Sequence, residues 1–374
     1  MEVLVIGGTG STGGDLVRGL HGRGHEVTTL SRGVHEGPGL PGGIARILAD
    51  PHFAPTLDEA IGGRSFDLVY AMYGRVKVIA EVFAGRAGHL VSVGGVPAYR
   101  GCVAPEHVRP YGMPVNARED APLADEVDDV ESVPAFARAI VAAERAVFAT
   151  RSAGGFGATH VRFPQIYGRR SVVPWEWSVV KRVIDGRRRM ILPDDGLGII
   201  SRCAARNAAE VLLKVSDDLD AADGHVFNVA DDDQFTTRQW AEFVCEVLGA
   251  EMEFVGVPTI LAPSALIELP PPAARPHILL DASKAKRVLG YAEVVSAANA
   301  TRDAVEWLVQ HPVRAEDYPT YAARFDYELE DRLIDAYTEA VEWVRKRVPD
   351  EPPDVVHPLP HPKVPSLARD QRGR

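Results

Sequence analysis

Three cysteines among 374 residues, Cys102, Cys203 and Cys245, are too few and too scattered for a disulfide framework or a thiolate metal site. A reducing cytoplasm is the expected compartment. The chain also lacks any block of basic residues: 41 Lys and Arg stand against 52 Asp and Glu, a net charge of −11 spread over the whole length. That balance argues against nucleic acid or an anionic membrane surface as a partner. No apolar run reaches the roughly 18 residues of a membrane span, and Met1 to Gly7 read as a strand without the basic flank of a signal peptide. Neither a G-x-S-x-G elbow nor an H-E-x-x-H helix occurs, and no internal repeat is found. What remains is an ordinary globular mixture, 46% hydrophobic and 25% charged, long enough for one large domain or two intimate ones.

Short apolar strands alternate with helical stretches through the first hundred residues, the pattern of a doubly wound parallel α/β sheet. Strands are expected at Val3 to Ile6, Glu26 to Leu30, Ala45 to Leu48, Leu68 to Met72 and His89 to Val93. A helix from Pro134 to Arg151 follows, with Phe136, Ile140, Ala143 and Val147 on one face, and then a strand from Thr159 to Arg162. Beyond Gly168 the alternation loosens. A helix is expected from about Cys203 to Val215, a seventh strand from His225 to Val229, and a helix from Thr236 to Leu248 with a capping box at Thr236 and Gln239 and a stop at Gly249. Residues 1–168, rejoined by 201–232, thus read as the core. Residues 169–200 and 233–310 read as a smaller mixed α/β lobe. In the remaining residues, 311–374, Leu333, Tyr337, Val341 and Val344 form the apolar stripe of a helix from Tyr327 to Val344, followed by a proline-rich strap or tail.

The strongest motif runs from Val5 and Ile6 through Gly7-Gly8-Thr9-Gly10-Ser11-Thr12-Gly13-Gly14 into a helix carrying Leu16, Val17 and Leu20. Strand, glycine turn and helix N-terminus in this order form a pyrophosphate cradle. The first glycine makes the turn, the second admits the phosphate, the third lets helix and strand close up, and the free N–H groups face the anion. Gly7, Thr9, Gly10, Ser11, Thr12 and Gly13 are therefore candidate dinucleotide contacts. After the second strand stand Ser31 and Arg32 where an NAD-selective site presents a carboxylate, so NADP(H) is the expected cofactor. Arg32 as a solvated turn residue is the alternative. Asp50 is placed either to accept from an adenine amino group or to start the Asp50-Pro51 turn.

These residues, with Phe66-Asp67-Leu68-Val69, Arg162-Phe163-Pro164-Gln165-Ile166-Tyr167-Gly168, Phe227-Asn228-Val229 and Asp281-x-Ser283-Lys284 to Leu289-Gly290-Tyr291, resemble the short-chain dehydrogenase/reductase superfamily. The branch is the extended or atypical one that holds NAD-dependent epimerase/dehydratase-like proteins. The resemblance covers roughly Met1 to Leu308 and implies a Rossmann core, with Pro164 beside the cofactor. It also implies a serine near the fifth strand and a Tyr-x-x-x-Lys pair on the next helix, the tyrosine exchanging a proton with substrate. Counting back from Tyr99 puts Gly95 at the serine position, and counting back from Glu144 puts Phe136 and Ile140 at the tyrosine and lysine positions.

Among the ten tyrosines only Tyr73 has a lysine four residues on, Lys77. Either that pair is a relocated donor or Tyr73 lines the cofactor groove. Tyr99, Tyr111 and Tyr167 are further candidate donors, Tyr167 being best placed if its loop closes over a nicotinamide. Arg187, Arg188 and Arg189 are placed either to hold a substrate phosphate or as a solvated charge run. Trp175 and Trp177, flanking Glu176, either line a pocket or are packed. The Asp231 to Asp233 run reads as a turn, and His357 and His361 sit among prolines that prevent a shared metal. The expected function is an NADP(H)-dependent oxidoreductase, a reductase of a carbonyl on a medium-sized small molecule with a non-standard proton donor or none. Its rivals are a non-catalytic NADP-binding sensor resembling the NmrA-like regulators and a nucleotide-sugar epimerase or dehydratase. A small-molecule substrate is the expected partner, and a homodimer through the Pro134 to Arg151 helix the expected assembly.

Overall fold

The computed structural model describes residues 1–34, 39–261, 277–317 and 324–348. The chain divides into two compact units, Met1–Asp326 and Tyr327–Arg374. In the first, seven strands form one parallel sheet: β1 (Glu2–Ile6), β2 (Glu26–Ser31), β3 (Ala45–Leu48), β4 (Phe66–Ala71), β5 (Ala87–Gly95), β6 (Gly157–Phe163) and β10 (Val226–Asn228). Their spatial order is β10-β6-β5-β4-β1-β2-β3. The order reverses between β1 and β4, the crevice where open α/β sheets take their ligands.

Alternate strand residues feed two cores, as burial on both faces of a parallel sheet requires. Val3, Val5, Leu68, Tyr70, Val91 and Val161 pack with Leu16, Val17 and Leu20 of α1 (Ser11–Gly22) and with Val211, Leu212 and Val215 of α6 (Ala205–Asp217). Leu4, Ile6, Val69, Ala71 and Leu90 face the other way. They meet α2 (Ala54–Ile61), α3 (Val76–Phe83) and Val147 of α4 (Ala135–Ser152).

Two small parallel pairs, β7 (Gln165–Tyr167) with β9 (Arg202–Ala204) and β8 (Arg189–Pro193) with β11 (Glu253–Val257), build the second lobe. Its other elements are α5 (Trp177–Ile184), α8 (Thr237–Leu248) and α10 (Ala297–Gln310), which share a core through Val180, Trp240, Val244 and Val305. The short helices α7 (Leu219–Ala222) and α9 (Ser283–Leu289) complete this unit, and the second unit contains α11 (Tyr327–Arg345).

Two expectations need correction. The helix read from Cys203 starts at Ala205, because Cys203 is spent in β9, paired with Ile166. The stripe read on α4 is rotated by one residue: Ala137, Val141, Glu144 and Val147 are buried, whereas Phe136 is 54% exposed. The cause is polar. Glu144 turns inward to meet Arg162 and His160, so the helix buries the face that carries it. His357 and His361, with the rest of the proline-rich tail, lie outside the described residues. Among the described residues, no helix is long and apolar enough to cross a membrane.

Candidate functional site

The glycine turn has the shape that its spacing demands. Gly7 adopts φ +98, and a Cβ there would lie 2.8 Å from the Cβ of Tyr73. A Cβ on Gly13 would lie 2.3 Å from the Gly7 carbonyl oxygen, so only glycine lets α1 close onto β1. Gly10, the N-cap of α1, differs: the nearest atom to its Cβ position is the Gly7 oxygen at 3.9 Å, leaving the approach to the helix N-terminus open. Thr12 is buried under the turn, and Thr9 and Ser11 are half-buried at its rim. These features fit a pyrophosphate.

Beside the turn, the ends of β2 and β4 bring together groups far apart in sequence. The Arg32 guanidinium lies 5.3 Å from the centre of the Tyr73 ring. His52 meets the same ring edge-on at 5.1 Å. Ser31 Oγ accepts from Gly33 N at 3.4 Å, bracing the turn that carries Arg32. Asp50 is folded back on His52, accepting from its backbone N–H at 3.0 Å and lying 2.6 Å from Nδ1; these bonds hold its carboxyl below the ordinary value. The turn role read for Asp50 is thus the one its side chain occupies. His52, two residues after Asp50, was not singled out from sequence, because its neighbours Tyr73 and Arg32 come from other strands. Tyr73 is built into this cluster on the ribose side of the crevice, and Lys77 is exposed on α3.

The other tyrosines are differently placed. Tyr167 is 1% exposed, and its hydroxyl donates to Asp231 Oδ2 at 2.7 Å. Asp231 also accepts from Asn207 Nδ2 at 2.7 Å and from Ala204 N, and burial together with that carboxylate pushes the phenol pKa well up. Its proton is committed to a buried carboxylate. Tyr99 is fully buried and donates to Asn228 Oδ1 at 2.6 Å, with the Arg162 guanidinium 4.6 Å above its ring. Both hydroxyls brace the fold. Tyr111 is exposed.

Ile140 lies against the carboxyl end of β5, its Cγ2 3.7 Å from where a Gly94 Cβ would stand, and Gly95 pairs with Phe163 just before Pro164. The α4 positions counted from Glu144 therefore do face this strand end. Beneath it runs a buried ladder that sequence reading did not assemble. Ser92 Oγ is 2.7 Å from His160 Nδ1, His160 Nε2 is 3.2 Å from Glu144 Oε2, and Glu144 takes two hydrogen bonds from Arg162, at 2.9 and 2.7 Å. Burial lowers the His160 pKa to about 4, so its ring is neutral, while the Arg162 bonds hold Glu144 ionised against its burial.

Of the remaining candidates, Arg189 lies in β8, 3.6 Å from Glu253, and Arg188 donates to the Arg187 carbonyl. Asp232 pairs with Lys286.

No protein-family model matches the chain. Over 340 residues it is 27% identical to a 3-diazoavenalumate denitrifying reductase from a Streptomyces species, which covers 83% of this chain and 97% of that protein. Among solved structures, the UDP-glucose 4-epimerase of Thermotoga maritima with UDP-glucose superposes with a TM-score of 0.65 at 17% identity, over 83% of this chain and 99% of that one. The Thermus thermophilus UDP-glucose 4-epimerase in complex with NAD gives 0.62 at 20% identity, over 84% and 100%. The doubly wound sheet, its strand order and these superpositions agree: the chain has the fold of the extended short-chain dehydrogenase/reductases, the NAD-dependent epimerases and dehydratases.

Proposed function

We propose that the protein is an NADP(H)-dependent reductase of a small molecule, working without the tyrosine–lysine pair. The observation that carries the cofactor half is the Arg32, Tyr73 and His52 cluster beside an intact glycine turn. A guanidinium held over an aromatic face, with an imidazole beside it and Asp50 folded away, favours a ribose 2′-phosphate and offers no carboxylate to a 2′-hydroxyl. Gly7, Gly10, Gly13 and the N–H groups of Ser11 and Thr12 would hold the pyrophosphate, and Pro164 would border the nicotinamide. When bound, that ring supplies a hydride.

The chemical half rests on what faces the end of β5. Phe136 has no proton to give, Ile140 has no charge to tune one, and Gly95 has no hydroxyl. Tyr99 and Tyr167 are sealed in buried bonds. A carbonyl acceptor would therefore take its proton from water or from its own hydroxyl. The 27% identical reductase is named for a different acceptor, a diazo compound that loses nitrogen. Replacing an aryl diazonium by hydrogen consumes one hydride, forms a C–H bond and releases N2, and it needs no proton at oxygen. A site built from Gly95, Phe136 and Ile140 orients and desolvates such an acceptor without general-acid chemistry. We favour this acceptor class over the carbonyl. Three buried thiols fit a reducing compartment, and pairing of two copies through α4 belongs to the same reading, checked by light scattering.

Fluorescence titration with NADPH and NADH is the first test. NADPH should bind at least tenfold more tightly, with most of that preference lost in Arg32→Ala; equal affinities would overturn the cofactor assignment. Loss of NADPH absorbance above the uncatalysed rate is then followed with an aryl diazonium and with a carbonyl panel. Turnover on the diazonium with a rate flat in pH supports the proposed acceptor. Turnover confined to carbonyls returns the reading to carbonyl reduction, and tight binding with no turnover favours the cofactor sensor.

A further inference from the structure

The second lobe holds polar groups in its apolar core that its own structure does not satisfy. Glu176 is fully buried just ahead of α5, and neither carboxylate oxygen has a hydrogen bond. Arg202 of β9 is 8% exposed, with its guanidinium 4.0 Å above the Trp240 ring and Nη1 without a partner. The indole N–H groups of Trp177 and Trp240 are buried and equally without partners, as is the side-chain amide of Gln165. The Trp240 N–H interacts favourably with the Glu176 carboxylate yet meets neither oxygen in hydrogen-bonding geometry. Around them stand Val179, Val180, Met190, Leu192 and Val244. Each unmade buried hydrogen bond costs about 1–3 kcal/mol, so so many in one place point to a missing partner.

The place is connected to the reaction edge. Gly95 pairs with Phe163, Gln165 follows two residues later, and Gln165 pairs with Arg202. At about 3.3 Å per residue and 4.8 Å between strands, Arg202 stands roughly 10–15 Å from the end of β5. That is the length of a ringed small molecule whose reacting carbon lies at the nicotinamide.

We propose that Glu176, Arg202, Trp177 and Trp240 form the distal substrate subsite, and that it takes a hydroxyl carried on an aromatic ring. A hydroxyl donates to Glu176 and accepts from Arg202 Nη1 or an indole N–H through one atom. A carboxylate has no proton for Glu176, and an ammonium has no lone pair for Arg202. The indole faces supply the flat walls that a ring needs. The subsite rests on the reading of this protein as a small-molecule reductase, but its test does not use turnover.

The NADPH-mixed full-length protein is titrated with 4-fluorophenol and, separately, with fluorobenzene, followed by 19F NMR. The phenol should bind saturably and at least tenfold more tightly than the hydrocarbon. In indole 15N–1H spectra, it should shift the Trp177 and Trp240 signals, assigned with single Trp→Phe variants. Glu176→Met should abolish the tenfold preference. NADPH affinity, measured alongside, should be the same in this variant, so a failed cofactor reading is recognised separately from a failed subsite. Equal affinity for the two probes, or indole signals that stay put in the wild-type chain, overturns the proposal whether or not the variant folds. Water alone as the missing partner gives that second result.

Discussion

At the residue scale, the glycines separate positions that admit a side chain from positions that do not. A Cβ at Gly94 would fall 2.5 Å from His160 Nε2, and His160 is held between Ser92 and Glu144. Gly94→Ala should therefore destabilise the protein by about 1–3 kcal/mol, as overpacking does. Urea denaturation should show a lower midpoint at unchanged slope. Gly22, with nothing within 4 Å of its Cβ position, serves as the control: Gly22→Ala in α1 should be neutral or slightly stabilising. A Gly94→Ala protein as stable as wild type would mean that the ladder is not rigid. The glycine turn was legible from spacing because each of its roles is played within ten residues. The ladder was not, since Ser92 and His160 are 68 residues apart.

Elements follow a similar division. The capping box of α8 is present in full: Gln239 N donates to Thr236 Oγ1 at 3.1 Å, and Thr236 N donates to Gln239 Oε1 at 2.9 Å. Gly249 closes the helix with φ +61. Thr236→Ala should cost about 1 kcal/mol, seen as a lower thermal midpoint, and Thr236→Ser should recover most of it. Such caps are local, so their residues announce them. The buried face of α4 is not local. Periodicity allowed two adjacent stripes, and the Glu144 bonds to Arg162 selected the one that leaves Phe136 outward. Likewise, β7 and β9 are three residues each, too short for a period, and exist because each pairs with the other.

Across the whole molecule, two buried histidines link stability to pH. Burial lowers the pKa of both His89 and His160 from 6.5 to about 4, and His89 bonds to Thr159 at 2.9 Å. Between those values the unfolded chain binds protons that the folded chain refuses. Stability is therefore complete above about pH 6.5 and falls as pH drops toward 4, by about 3 kcal/mol per histidine over the full window. Urea midpoints at about pH 7 and about pH 5 should differ accordingly, and His89→Asn should reduce the difference by about half. A midpoint unchanged between the two pH values would contradict neutral burial of these rings.

By itself the sequence determined the strand and helix alternation, the pyrophosphate turn, the helix caps and the place of Arg32 after β2. All of these are set by backbone chemistry and spacing over a few residues. Tertiary structure alone decided which tyrosines are available and which polar groups are stranded. Tyr99 and Tyr167 were equal candidates on paper, yet Asn228, 129 residues from Tyr99, and Asp231, 64 residues from Tyr167, take their protons. The accessibility of a proton depends on which distant groups the fold seals around it, and no local pattern encodes that.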